Sequence, residues 1–463
     1  RRDARPAGLR HDSKLNCPLL RFAASWSFVM QQVNLGIIGG GTVGSGVYEA
    51  LQRNGSLLAS RLGADVKVHR VAVRDLKKKR AAAIPRPLLT TDWSEVVFDP
   101  QIQLVAELIG GTTTAREIIL AALKLGKPVV TANKALLSAH GEELFAAAQK
   151  HGTNLYYEAS VCGGIPIIKS LREGFVGNRI NALYGIVNGT CNYILTRMKL
   201  EGADFATVLA DAQKLGYAET PPDLDIDGHD AAHKTGILAS LAHGFWINPK
   251  KIHVEGIRHV SALDIKYAGE LGYTIKLIGT VKKTDDGCRV QVSVYPTLVP
   301  NAHVLASVNG VFNAVFVRGD IVGDALFYGR GAGKDATASS VLSDVGDAVL
   351  DLKTGAKNRL PAFVPHECAG AVAPIGEVVS QYFVRLNVVD KPGVLAKIAA
   401  IFGQSNIGIS SVIQPESEEG KSVPLIFMLH YATNGVAAKA LAKIAKLPAV
   451  KGQPVMLRVE NFE

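Results

Sequence analysis

One segment constrains this chain more than any other: Val33-Asn34-Leu35-Gly36-Ile37-Ile38-Gly39-Gly40-Gly41-Thr42-Val43-Gly44. A short run of branched apolar residues that ends in glycines reads as a buried parallel strand. Residues 43–53 then read as a helix. Glycines at 39, 41 and 44, in G-x-G-x-x-G spacing between strand and helix, allow a tight turn. They also let the backbone approach a pyrophosphate, which the helix N-terminus attracts. Further strands are expected over 65–74, 104–109 and 129–131, with a helix over 115–125 that stops at Gly126-Lys127-Pro128. This alternation predicts a right-handed doubly wound α/β domain over residues 30–165.

The end of the second strand bears on the nucleotide. An NAD-selective site places an acid there for the ribose, whereas this chain has Val73-Arg74-Asp75. Arg74, with Lys77–Lys79 nearby, can pair with a 2′-phosphate, which favours NADP, and Asp75 keeps NAD open.

The alternation weakens past residue 165. Residues 166–350 mix helical patterns (204–215, 231–245) with alternating strands (289–298, 303–317), which predicts a second, α+β domain with a mixed sheet. Residues 351–380, with Pro361, Pro365 and Pro374, read as a linker. Residues 381–463 carry a compact βαββαβ pattern, a ferredoxin-like module of about the smallest size that folds alone.

Charge needs locating before it means anything. The net charge of +10 includes Arg1, Arg2, Arg5, Arg10, Lys14 and Arg21 in residues 1–29, against only Asp3 and Asp12. These residues read as an extension outside the fold, an added or upstream-translated leader or a targeting remnant. The one other basic run is Lys77–Arg80, so a nucleic-acid groove is not expected. No run of 18 apolar residues occurs, so no transmembrane helix is expected. Cys17, Cys162, Cys191, Cys288 and Cys368 are scattered and form no C-x-x-C, as in a reducing, cytoplasmic compartment.

The densest polar cluster is Gly216–Lys234, GYAETPPDLDIDGHDAAHK. Asp223-x-Asp225-x-Asp227-Gly228 imitates a calcium loop, but Lys234 stands where the bidentate Glu belongs. His229-Asp230-Ala231-Ala232-His233 imitates a zinc-peptidase helix, with Asp in place of its Glu. A third reading is a substrate site. Asp230 and Lys234, four apart, share a helical face, where a carboxylate could hold an ammonium while the lysine handles a proton at oxygen. A solvated acidic loop capping a helix fits the same residues.

The stretch closely resembles the homoserine dehydrogenase signature at Ala212, Gly216, Tyr217, Ala218, Pro222, Asp225, Ile226, Gly228, Asp230 and Lys234, and departs from it at Pro221. Other blocks of that family stand in order: Glu107–Gly111, Thr131–Leu136, Glu158–Pro166, Asn188–Tyr193 and Gly329–Gly333. The resemblance spans residues 33–350. No aspartokinase-like segment precedes it, so it is to the monofunctional form.

The resemblance implies a Rossmann-like nucleotide-binding domain and a substrate-binding and dimerisation domain. It also implies NAD(P)-dependent interconversion of L-aspartate 4-semialdehyde and L-homoserine, in threonine, methionine and isoleucine biosynthesis. Lys234 then matches the proton donor and Lys134 the second lysine beside nicotinamide. Glu219, Asp225, Asp230, Thr190 and Gly216 match the substrate site. Gly39, Gly41, Thr42, Val43, Gly44, Arg74, Thr112, Lys134 and Gly331 match the cofactor site. Glu158, Val161, Gly163 and Ile165 match a monovalent-cation site, read as one carboxylate plus backbone carbonyls and suited to sodium.

The C-terminal module resembles an ACT domain, through Val389–Leu395 and Ser405–Ile409. This implies an amino-acid effector, threonine, and a homodimer or homotetramer. Two other readings stay open. One is a semialdehyde dehydrogenase using Cys162 or Cys191 as nucleophile; the other is a non-catalytic amino-acid sensor.

Overall fold

The computed structural model describes residues 31–284, 287–357, 359, 363–364, 370–415 and 421–462; the 1–29 extension lies outside the described residues. The first domain is a six-stranded parallel sheet. Its strands run side by side as Leu89–Thr90, Ala64–Ala72, Gln31–Ile38, Leu104–Glu107, Val129–Thr131 and Leu155–Tyr156. The order reverses between Gln31–Ile38 and Leu104–Glu107, and the crevice beyond the strand ends at such a reversal is where doubly wound sheets bind ligands. The glycine loop sits there. The helix behind it, Thr42–Leu62, is longer than the 43–53 expected, because Gly55 lies on the solvent side and costs no packing.

The helix Lys334–Thr354 crosses the boundary expected at residue 350 and packs on the first domain. Its Ala338, Val341, Val345 and Val349 join Leu35, Val47 and Leu51 in one core. Ala338 and the Lys334 carbonyl crowd Gly46, which lets the two helices approach closely. A segment that follows the second domain in sequence thus completes the first.

The second domain supplies the strands Gly323–Arg330, Phe312–Gly319, Ile180–Ile186, Tyr273–Lys283 and Val290–Pro300, adjacent in that order and antiparallel. The strand expected over 303–317 is shorter. Residues Val304–Ser307 form a 3₁₀ turn and the strand begins only at Phe312, after Asn309-Gly310 breaks the alternation.

The C-terminal module pairs Val450–Val459, Val379–Val389, Ser422–Thr433 and Ile409–Ile413 in that order, all antiparallel. Helices Val394–Gln404 and Asn434–Ile444 cover one face through Ile398, Phe402, Ala440 and Ile444. This is the expected ferredoxin-like fold, but it is not a separate bead. Thr297 and Leu298 pair in parallel with Arg458 and Val459, so one sheet runs through both domains. Beyond that strand, Phe462 stacks on His303 at 3.8 Å and enters the core of Tyr184 and Phe316. Arg385 grips the fully buried Asp264 at 2.6 and 3.1 Å. The segment read as a linker begins with the last turn of helix Lys334–Thr354. It later lays Val372 beside Val290 and enters the strand Val379–Val389. Removing residues 381–463 is therefore expected to expose the edge of Val290–Pro300 and yield aggregated protein, measured by size-exclusion chromatography.

Candidate active site

The nucleotide cleft, about 890 Å³, opens at the sheet's reversal point. Gly39, Gly41, Thr42, Arg74 and Thr112 line it. Gly39 adopts φ +110°, and a Cβ at Gly44 would collide with the Gly39 carbonyl, so strand and helix meet only through glycine. Gly41 caps the helix Thr42–Leu62 without a side chain, which leaves its first turn, with Val43 and Gly44, open to an anion. Gly44→Ala is expected to weaken nucleotide binding at least tenfold, checked by fluorescence titration. Arg74 and Asp75 are both exposed at the rim, and Asp75 accepts from the Lys77 amide at 2.7 Å. Arg80, the last residue of the basic run, also lines the cleft, lies against Gly40 and donates to the backbone of Asp75 and Lys78. Its signal was the run Lys77–Arg80.

A buried polar chain leads from the cleft to the lysines. Glu107, fully buried, accepts from Thr131 Oγ1 at 2.6 Å and from the Ile109 amide at 2.9 Å, and burial pushes its carboxyl up to about 7. Thr131 Oγ1 in turn accepts from the Asn133 amide. Asn133 donates to Gly111 O at 2.8 Å and caps the helix Lys134–Lys150 by accepting from Leu136 N. The residue after this cap is Lys134.

Lys134 Nζ lies 2.9 Å from Asp230 Oδ1, and Lys234 Nζ 2.8 Å from Asp230 Oδ2. One carboxylate thus bridges two ammonium groups brought from separate domains. Lys234 also donates to Val187 O at 2.8 Å and is buried, whereas Lys134 is half-exposed. Burial works to raise the Asp230 carboxyl, but the two ammonium groups hold it well below the usual carboxylate range. Burial likewise opposes the charge on Lys234, and Asp230 overcomes it, keeping the amine above its ordinary value. Asn188, which the sequence offered only as the start of the block Asn188–Tyr193, orients the acids. It caps the helix Gly189–Glu201 while its Nδ2 donates to Asp225 Oδ1 at 2.8 Å and Asp230 Oδ2 at 2.9 Å. Burial raises the Asp225 carboxyl.

The other expected substrate residues stand around this cluster. Thr190 donates to Tyr217 O at 2.5 Å, fixing the turn at Gly216, which takes φ +73°. Glu219 is exposed on the following loop, and its charge contributes to raising Asp225. Asp223 and Asp227 both pair with Arg258, and Asp230 with the lysines, so these carboxylates do not converge as calcium ligands. Gly331 lies against Asn313 and Gly163.

The 158–165 turn, where a cation site is expected, is bound into the fold by hydrogen bonds. Both oxygens of the buried Glu158 carboxylate accept backbone hydrogen bonds, from Ile168 N at 2.9 Å and Lys169 N at 2.7 Å. The side chain thus ties down the chain at 167–169. The Gly163 carbonyl accepts from Ser340 Oγ and that of Ile165 from Ile167 N.

The thiols do not form a nucleophilic site. Cys162 and Cys191 are buried, and burial pushes both thiols up, away from thiolate. Cys191 donates to Asp225 O at 3.1 Å.

Three family models match successive parts of the chain. The model "Homoserine dehydrogenase, NAD binding domain" matches residues 39–158, "Homoserine dehydrogenase" residues 166–345, and "ACT domain" residues 382–449. The homoserine dehydrogenase of Pseudomonas aeruginosa is 44% identical over 94% of this chain and 100% of its own length.

The chain belongs to the homoserine dehydrogenase family. The Bacillus subtilis homoserine dehydrogenase is 37% identical over 93% of this chain and 99% of its own. A crystal structure of a homoserine dehydrogenase from Thiobacillus denitrificans superposes with TM-score 0.88 at 43% identity, covering 94% of this chain and 99% of that one. A hyperthermophilic archaeal homoserine dehydrogenase in complex with NADPH superposes with TM-score 0.59 at 26% identity, covering 69% and 98%. As in its family, the chain is an NAD(P)-dependent oxidoreductase acting on a CH–OH group, with a Rossmann domain and a C-terminal ACT domain. Among the described residues no helix is long and apolar enough to cross a membrane.

Proposed function

We propose that Lys234 is the proton donor and acceptor in the reversible conversion of L-aspartate 4-semialdehyde to L-homoserine. The observation that carries this is the Asp230 carboxylate held between Lys234 and Lys134. A nicotinamide nucleotide bound at Gly39–Gly44 and Thr112 supplies or accepts the hydride. Lys234, kept protonated by Asp230 at neutral pH, stabilises and then protonates the oxygen of the reduced carbonyl. In the oxidative direction it must be neutral to take the hydroxyl proton, so oxidation favours alkaline pH. Lys134, next to the Asn133 cap that donates to the cleft-lining Gly111, supplies a second positive charge between nucleotide and substrate. Glu219 and Asp225 hold the substrate ammonium, and Thr190 with Gly216 shapes the loop that carries them.

Arg74 and the neighbouring Lys78, Lys79 and Arg80 on the cleft support NADP as the preferred cofactor. Arg74→Ala is expected to raise KM for NADP several-fold more than KM for NAD; equal effects would remove Arg74 from the 2′-phosphate. A monovalent cation at the 158–165 turn would rest on the carbonyls of Val161, Gly163 and Ile165, and no step is assigned to it. Threonine is the effector we assign to the ACT turns at 389–394 and 405–409. Gly393 at φ +83° caps the helix Val394–Gln404 without a side chain, and Asn406 takes φ +55°, which leaves backbone groups for an amino acid. A cytoplasmic homodimer or homotetramer completes the reading. The test is homoserine oxidation by the purified protein with NAD and with NADP, each with and without threonine. Turnover on homoserine, greater with NADP and depressed by threonine, is expected; no turnover with either nucleotide would overturn the reading.

A further inference from the structure

Four consecutive residues outside the proposed catalytic set, Glu255–Arg258, touch both the acidic loop and the ACT module. The Glu255 carboxylate receives the Arg458 guanidinium at 2.8 and 2.9 Å. Arg458, on the module's last strand, is 2% exposed, lies 4.2 Å over the Tyr295 ring, and donates to Asn434 at 2.7 Å. Gly256 has no room for a Cβ, which would fall on Ile226 O and Asp227 Cα. The buried Ile257 donates its amide to Ile226 O at 2.8 Å. The Arg258 guanidinium spans Asp223 and Asp227, which bracket the single helical turn Asp223–Ile226.

One turn of helix does not hold itself, because its nucleation is unfavourable. The orientation of Asp225 therefore depends on what flanks it, which is Asn188 on one side and this segment on the other. The Arg258 pairs are part-exposed and contribute little to global stability, but two carboxylates on one guanidinium fix the loop's geometry.

We propose that Glu255–Arg258 is a strap that positions the acidic substrate loop and ties it to the last strand of the ACT module. Arg258 and Glu255 are positioning residues, and Arg458 is the module's handle on them. The inference rests on the reading that Asp225 and its neighbours hold the amino-acid substrate. Displacement of the strand Val450–Val459 would thus reach the substrate carboxylates through four residues of backbone and three ion pairs.

The test uses the full-length enzyme and steady-state homoserine oxidation. Arg258→Gln is expected to raise KM for homoserine about tenfold, with kcat and KM for NADP within about twofold of wild type and partial recovery in Arg258→Lys. Arg458→Lys, which keeps the charge but loses the fork, is expected to raise the same KM about threefold although Arg458 contacts none of the acids of the loop. The double variant is expected to be non-additive, because both act through one segment. An unchanged homoserine KM in Arg258→Gln, strict additivity, or a parallel rise in the NADP KM would overturn the strap. Asp225→Asn separates the two levels. If it leaves the homoserine KM unchanged, the substrate reading has failed. If it raises KM while Arg258→Gln is silent, only the strap has failed.

Discussion

Lys234→Ala is expected to lower kcat for homoserine oxidation by roughly 10²–10⁴-fold, the usual share of a positioned general acid or base, while nucleotide binding stays near wild type. The split follows from where the residue sits. Lys234 lies on the helix His229–His243 of the second domain and is buried against Val187 O and Asp230, whereas the nucleotide cleft is built by the first domain. Losing the amine removes the buried cation poised to exchange a proton at the substrate oxygen. Lys134 is tethered to the same carboxylate but half-exposed, so it does not take over the role. Stopped-flow turnover combined with nucleotide titration checks this. A variant with near-wild-type turnover would remove Lys234 from the chemistry.

Asp230→Ala is expected to cost about 3–5 kcal/mol of stability at neutral pH, because removing one partner of a buried ion pair strands the other. The stranded group here is Lys234, with Lys134 losing the same partner. The sign with pH follows from the depressed Asp230 carboxyl. Its contribution is complete above the ordinary aspartate value of 3.8 and is lost as pH falls toward and through the lower folded value. The gap between wild type and Asp230→Ala in urea denaturation is thus expected to be full at pH 7 and to narrow below about pH 4. A gap independent of pH would mean that packing, not charge, is responsible.

The nucleotide-binding half was legible because its chemistry is local. Gly39, Gly41 and Gly44 lie within six residues, and their spacing carries its meaning wherever the rest of the chain goes. Asp230 and Lys234 were legible for the same reason, as an i, i+4 pair. The arrival of Lys134 at the same carboxylate was not, because it depends on docking one domain on another; only the family resemblance pointed to it. Asn188 and Glu107 stood only within family blocks, without a role, and Arg258 was missed, because a cap, a buried acid and a surface arginine look ordinary until tertiary structure supplies their partners. Glu158 entered only through the resemblance, because sequence does not show which way a carboxylate faces, and here it accepts from the amides of Ile168 and Lys169. The continuity of the sheet into the ACT module left no mark either, since the alternation in Val450–Val459 is the same whether its edge meets solvent or Val290–Pro300.

The central claim is that Asp230 sets the proton affinity of Lys234, and that Lys234 exchanges the proton with substrate. The pH dependence of kcat for homoserine oxidation, compared between wild type and Asp230→Asn, tests it most directly. Loss of the neighbouring negative charge leaves a buried amine easier to deprotonate, so the rising limb in Asp230→Asn should move to lower pH by about one unit or more. A limb that stays where wild type has it would contradict the account.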